Sequence, residues 1–224
     1  MAITATNEGG SNFAPVEAGT YVARCISMIH IGTIEETIKG AKKSLNKVLI
    51  KWELPNKKKE FKEGEGEKPY VVSKDFTLSM NAKANLRKFL ESWRGKALTE
   101  DECKAFDITK VIGAPCMLSI IHTTSAAGKV YADVASISKL MEGLVVPPQI
   151  NPSVELNYDN FDRAIFEALP EFIRKKIESS FEYKQMMNGG EAAEFEREEQ
   201  LRKQGQVSNG PVTNNAGHND DLPF

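Results

Sequence analysis

The chain has 224 residues, with 29 Lys/Arg against 31 Asp/Glu and a formal net charge of −2. That length suits one packed domain with appendages or two small domains, and 41% hydrophobic with 27% charged residues is the balance of a soluble globular chain. No apolar run approaches the roughly 18 residues that cross a bilayer, and Met1 to Gly19 lacks a basic region leading into an apolar stretch, so neither a membrane span nor a signal peptide is read and a cytoplasmic location is expected.

The average charge hides a division. Between Gly19 and Leu140 there are 21 Lys/Arg and 14 Asp/Glu, whereas the remainder holds 8 and 17. A polyanion would be drawn to the first part and repelled by the second. The three cysteines, Cys25, Cys103 and Cys116, are odd in number and widely separated, which argues against a disulfide framework. With His30, His122 and His218 equally scattered, no metal site and no cofactor are expected. Cys25 and Cys116 sit in strand-like stretches and read as small core residues.

In chain order, residues 1–18 read as a disordered arm. Thr20 to Ile31 is rich in β-branched and aromatic residues and predicts a strand ending near Gly32. Asn46 to Leu54 alternates, with Val48, Ile50, Trp52 and Leu54 facing inward and Lys47, Leu49, Lys51 and Glu53 outward, and Pro55-Asn56 is expected to stop it. Lys57 to Lys68, dense in Lys, Glu and Gly, predicts an exposed loop, followed by a third strand over Tyr70 to Leu78.

The period then changes. Leu86, Phe89, Leu90 and Trp93 form one face of a helix, with Asn81 as candidate cap and Gly95 as stop. Thr99 and Glu102 carry a capping-box signature for a short second helix. Ala114 to His122 and Lys129 to Ser138 predict a hairpin. Residues 144–153, with Pro147, Pro148 and Pro152, predict an extended linker. Beyond it, Phe161, Ile165, Phe166 and Leu169, then Phe172, Ile173, Ile177 and Phe181, predict two amphipathic helices broken by Pro170, within a helical extension spanning 154–205. This extension either packs on the body or mediates association, so self-association stays open.

Three strands, a helix and two strands is the element order of the oligonucleotide-binding (OB) fold, a five-stranded barrel with its helix between strands 3 and 4. The expected class is therefore mainly β with appended helices, with residues 19–143 as the OB-like domain. SH3-like barrels share parts of this order.

Reactive constellations are hard to find. Gly40-Ala41-Lys42-Lys43-Ser44 resembles the end of a phosphate-binding loop, but Glu35 stands where the first glycine belongs. Glu65 and Lys68 echo a nuclease pair within a charged loop. No nucleophile elbow and no zinc-protease motif occurs. The expectation is a binding protein rather than an enzyme.

Single-stranded nucleic acid is held by cations along the phosphates and by aromatic faces under the bases. Candidate cations are Arg24, Lys42, Lys43, Lys47, Lys51, Lys57, Lys58, Lys59, Lys74 and Lys129, with Arg87 and Lys88 adding to the field. Among aromatics, strand parity assigns Trp52 to the core and the apolar helix stripe assigns Trp93 there, whereas Tyr131, beside Asp133, is left on the outer face. Tyr131 and Tyr70 are the stacking candidates, and Phe61 in the charged loop is a weaker third.

Residues 206–224 contain almost nothing that could be buried and read as a disordered tether ending in Asp220-Asp221-Leu222-Pro223-Phe224. Paired acids for Arg or Lys, an apolar Leu-Pro-Phe end and a chain-terminal carboxylate make a partner-binding tip. This tail resembles that of bacterial and bacteriophage single-stranded DNA-binding proteins, in which a Gly/Asn/Pro/Gln-rich linker ends in Asp-Asp-x-x-Pro-Phe or a close variant. Little outside the last twenty or so residues matches the bacterial form, which points to a bacteriophage-encoded member in the host cytoplasm. The resemblance implies sequence-independent single-stranded DNA binding and recruitment of replication, recombination or repair proteins through Asp220, Asp221, Leu222, Pro223 and Phe224. Two alternatives remain: an adaptor whose body binds another protein, and a nucleic-acid enzyme with a cryptic site.

Overall fold

The computed structural model describes residues 14–125 and 128–189. It is mainly β: strands β1 (Gly19–Ile38), β2 (Ala41–Glu60), β3 (Glu67–Thr77), β4 (Pro115–Thr124), β5 (Val130–Ser138) and β6 (Val154–Leu156). Helices α1 (Asn85–Arg94) and α2 (Glu100–Lys104) lie between β3 and β4, and α3 (Arg163–Glu167) and α4 (Glu171–Ser179) follow β6. A further helix covers residues 181–189. The sheet order is β3-β2-β1-β4-β5, each pair antiparallel. β4 pairs with β1 over Gly19–Arg24, and β6 then runs parallel to β1 at Ser27–Ile29.

β1 and β2 are longer than their sequence predicts. β1 does not end at Gly32, and the two strands run on as a hairpin to Lys39 and Gly40, both at positive φ (51° and 81°), the conformation that two-residue hairpin turns require. Register shifts at Cys25/Ser27 and His30/Gly32 bend β1 without ending it. Pro55 does not stop β2 either. The strand absorbs the missing N–H in a register shift between Leu54 and Lys58, then pairs Lys58, Lys59 and Glu60 with Pro69, Lys68 and Glu67. Much of the expected basic loop is therefore ladder.

β1 is buried on both faces, and this divides the core in two. One cluster joins Ala23, Cys25, Val48, Ile50, Trp52 and Leu54 to Phe76, Leu118 and the α1 stripe Leu86, Phe89, Leu90 and Trp93. Trp52 packs 5.7 Å from Phe89 and 6.0 Å from Trp93, whose indole N–H donates to the Pro115 carbonyl at 2.9 Å. The helix starts at Asn85, with Ala84 at its N-cap. Asn81 instead accepts from the Lys83 amide at 3.1 Å, a local turn that leaves it too early to cap. Gly95, at φ 71°, ends the helix as expected, and Thr99 and Glu102 form the reciprocal capping box of α2.

The second cluster lies on the other face of the sheet, where Ile29, Ile31, Ile34 and Leu49 meet Leu156, Phe166, Leu169, Ile173 and Ile177. The described part of the extension, up to residue 189, thus packs on the sheet. Phe172 and Phe181 do not join it and remain 66% and 64% exposed: Ile173 and Ile177 form the inward side of α4, and Phe181 belongs to the helix after it. Tyr158 donates to the Ile31 carbonyl, and Glu182 accepts from the Thr33 amide at 2.6 Å and hydroxyl at 2.7 Å. Gly32, at φ 91°, is required there because a Cβ would lie 2.7 Å from the Glu182 carboxylate.

The Pro-rich segment before β6 has no regular structure, yet it is strapped down. Arg24 donates to the Pro147 carbonyl at 3.1 Å. Glu53, expected to face outward, is 0% exposed and accepts from the Ile150 amide (2.9 Å), the Asn151 amide (2.8 Å) and the Asn151 carboxamide (2.9 Å).

Candidate nucleic-acid interface

β3 and β5 are the two ends of the sheet path, and no backbone ladder joins them. A side chain bridges them with hydrogen bonds. Lys74 of β3 reaches Asp133 at 3.0 Å and the Val134 carbonyl at 2.6 Å on β5. Along this seam lies a groove of about 690 Å³, lined by Pro15 and Val16, by Phe61, by Tyr70 to Asp75 and by Lys129 to Asp133.

The groove gathers the stacking candidates from separate parts of the chain. Tyr131 is 46% exposed at the start of β5. Tyr70 is half-buried near the start of β3, and Phe61 packs edge-on against it at 5.2 Å, so Phe61 does have an aromatic neighbour. Trp52 and Trp93 are core, as the strand alternation predicts for the first and the helix stripe for the second.

The cations are less concentrated than the sequence suggests. Lys74 and Lys129 line the groove, Lys74 already held by Asp133. Lys57 lies 3.5 Å from Glu17 and 5.8 Å from the Tyr21 ring. Lys58 and Lys59 sit on the β2–β3 ladder that leads to Phe61. The remaining candidates lie elsewhere. Lys47 is buried between Glu36 (3.1 Å) and Asp75 (3.5 Å). Arg24 is committed to the Gly113 and Pro147 carbonyls. Lys42 and Lys43 project on the β1–β2 hairpin, Lys42 beside Glu35 at 3.7 Å. Lys51 lines a different groove, beneath the extension. Arg87 is buried against Glu91 (3.1 Å) and Glu100 (2.9 Å) and contributes no free charge.

Sequence reasoning missed Pro15, Val16, Val71 and Val130, which form apolar walls of the groove. Val16, expected in a disordered arm, is 4% exposed, and its carbonyl lies 2.8 Å from the His122 ring nitrogen. The only sequence signal for it is its closeness to the strand that begins at Gly19. Asp220 to Phe224 lie outside the described residues.

The groove's chemistry is that of adhesion: ring faces, aliphatic walls and a cation at the rim. The thiols of the core are quiet, since burial pushes Cys25 up to about 12 and pushes Cys116 up as well, with Cys25 adding to the second. Glu65 is held below the usual carboxylate range by hydrogen bonds from Lys68 and Lys62, so the nuclease-like pair is an exposed ion-paired turn. Among the described residues no group of three His, Cys, Asp or Glu could hold a metal, and no helix is long and apolar enough to cross a membrane. No protein-family model matches the chain, and no curated protein matches it.

Proposed function

We propose that this chain binds single-stranded DNA without sequence preference, in the cytoplasm, through an OB-type body, and recruits replication, recombination or repair proteins through Asp220 to Phe224. The strand order, the helix α1 between β3 and β4, and the β3–β5 seam bridged by Lys74 support the OB reading. The observation that carries the binding reading is the groove itself, which puts Tyr131, Tyr70 and Lys129 along one path. Ring faces take bases of any identity and lysines take phosphate, which is the chemistry of sequence-tolerant strand binding. The acidic tip supports recruitment through its resemblance to the tails of single-stranded DNA-binding proteins, and bacteriophage origin rests on the same resemblance.

A mobility-shift titration on single-stranded and duplex DNA tests the proposal. The expected result is a clear preference for oligo-dT, weakening with salt at a log-log slope of roughly −0.7 per phosphate contact. Deleting residues 220–224 should leave that affinity nearly unchanged while abolishing capture of a replication or repair protein. The second reading, an adaptor whose body binds protein, draws on the exposed Phe172 and Phe181. It predicts no DNA complex in the same titration.

A further inference from the structure

Ser27 and Lys51 stand opposite each other on the β1–β2 ladder, where directly opposed side chains start about 5 Å apart. They line a groove of about 350 Å³ between the sheet and the extension, walled by Ile26, Val71, Val154, Ile165, Leu169 and Pro170. Ser27 is 3% exposed and its hydroxyl has no hydrogen-bond partner. Lys51 is half-buried, and burial alone pulls its pKa below the ordinary value, with no carboxylate offsetting it. Among the described residues no Asp or Glu lines the groove.

A part-desolvated ammonium without a counter-charge is costly, and so is a buried hydroxyl without a partner. Here the two lie side by side, facing aliphatic walls. One anionic head between them would pair with the ammonium and accept from the hydroxyl, while its apolar body covered the walls. A single lysine and a single hydroxyl match one negative charge better than a phosphate dianion. The walls carry no aromatic ring on which a base could stack, which disfavours a nucleic-acid strand at this place.

We propose that this groove is a binding site for a small carboxylic acid with a short apolar body, its carboxylate held by Lys51 and Ser27. The site shares only Val71 with the seam groove and does not rest on the DNA-binding reading. Hexanoate is a suitable probe, titrated into the full chain and followed by amide NMR shifts, with hexan-1-ol, inorganic phosphate and oligo-dT in parallel. Hexanoate should bind saturably and shift Ile26, Ser27, Lys51, Val154 and Leu169, with hexan-1-ol and phosphate weaker by about tenfold or more. Lys51→Met should lose about tenfold or more in hexanoate affinity, Lys51→Arg should keep most of it, and Ser27→Ala should lose a smaller part. Equal affinity for hexan-1-ol, or hexanoate binding unchanged in Lys51→Met, would overturn the proposal. So would shifts at Lys51 and Ser27 that answer to oligo-dT and not to hexanoate. If Lys51→Met fails to fold, hexanoate against hexan-1-ol on the unaltered chain decides.

Discussion

Lys74 and Asp133 meet at 3.0 Å across the β3–β5 seam, with the Val134 carbonyl accepting a second hydrogen bond from the same ammonium. The pair holds together two strand edges that share no backbone ladder, and it forms part of the candidate binding groove. Both side chains are roughly one-third exposed, so the pair is partly screened by solvent. Lys74→Met should lower the unfolding free energy by about 1 kcal/mol, since both bonds go. Asp133→Asn should cost less because the bond to Val134 remains. Urea denaturation of both single variants and the double variant checks this, and strict additivity would show that the two groups do not act together.

Glu53 is the buried acceptor that fixes the Pro-rich strap. Glu53→Ala leaves the Ile150 and Asn151 amides without their acceptor and opens space in the sheet, a loss of about 2 to 4 kcal/mol. Glu53→Gln keeps the volume but turns one acceptor into a donor facing those amides, so it should also destabilise. Hydrogen exchange at Ile150 and Asn151 should rise in both variants before global unfolding. Unchanged protection at those amides would mean that the strap is held by other contacts.

Glu182 ties the extension to β1 and makes this junction sensitive to acid. Burial opposes its charge, but the Thr33 amide and hydroxyl outweigh that and hold the carboxyl below its usual range. A depressed carboxyl stabilises the fold fully above its unfolded pKa, near 4.5, and that contribution disappears as pH falls through the lower folded value. Thermal melts of the intact chain should therefore lose stability below about pH 4.5 more steeply than those of Glu182→Gln. Gly32→Ala should weaken the same junction at every pH, by about 1 to 2 kcal/mol from the positive φ alone and more from the clash with Glu182.

The parts of the fold readable from sequence are those whose signal is local. The α1 stripe and the β4–β5 hairpin show their periods within a few residues, and the capping box of α2 is complete in four. What stayed hidden depends on partners far along the chain. Glu53 looked outward because its covering, Ile150 and Asn151, lies almost a hundred residues later. The hairpin beyond Gly32 carries polar residues on both sides, so no alternation marks it as strand. Pro55 stops a regular ladder but not one that bulges around it. In the groove, parity was enough to place Tyr131 outside, whereas Val16 and Val71 became walls only through the pairing of distant strands.

Whether the seam groove carries DNA is tested most directly by the affinity of Tyr131→Ala for oligo-dT, measured by fluorescence anisotropy at one moderate salt concentration beside the unaltered chain and Lys129→Ala. If a base stacks in the seam groove, Tyr131→Ala should lose about 1 to 3 kcal/mol of binding free energy with its salt slope unchanged. Lys129→Ala should lose less and flatten the slope by roughly 0.7. Affinity unaltered in Tyr131→Ala, with the fold intact by circular dichroism, would contradict the assignment of this groove as the DNA path.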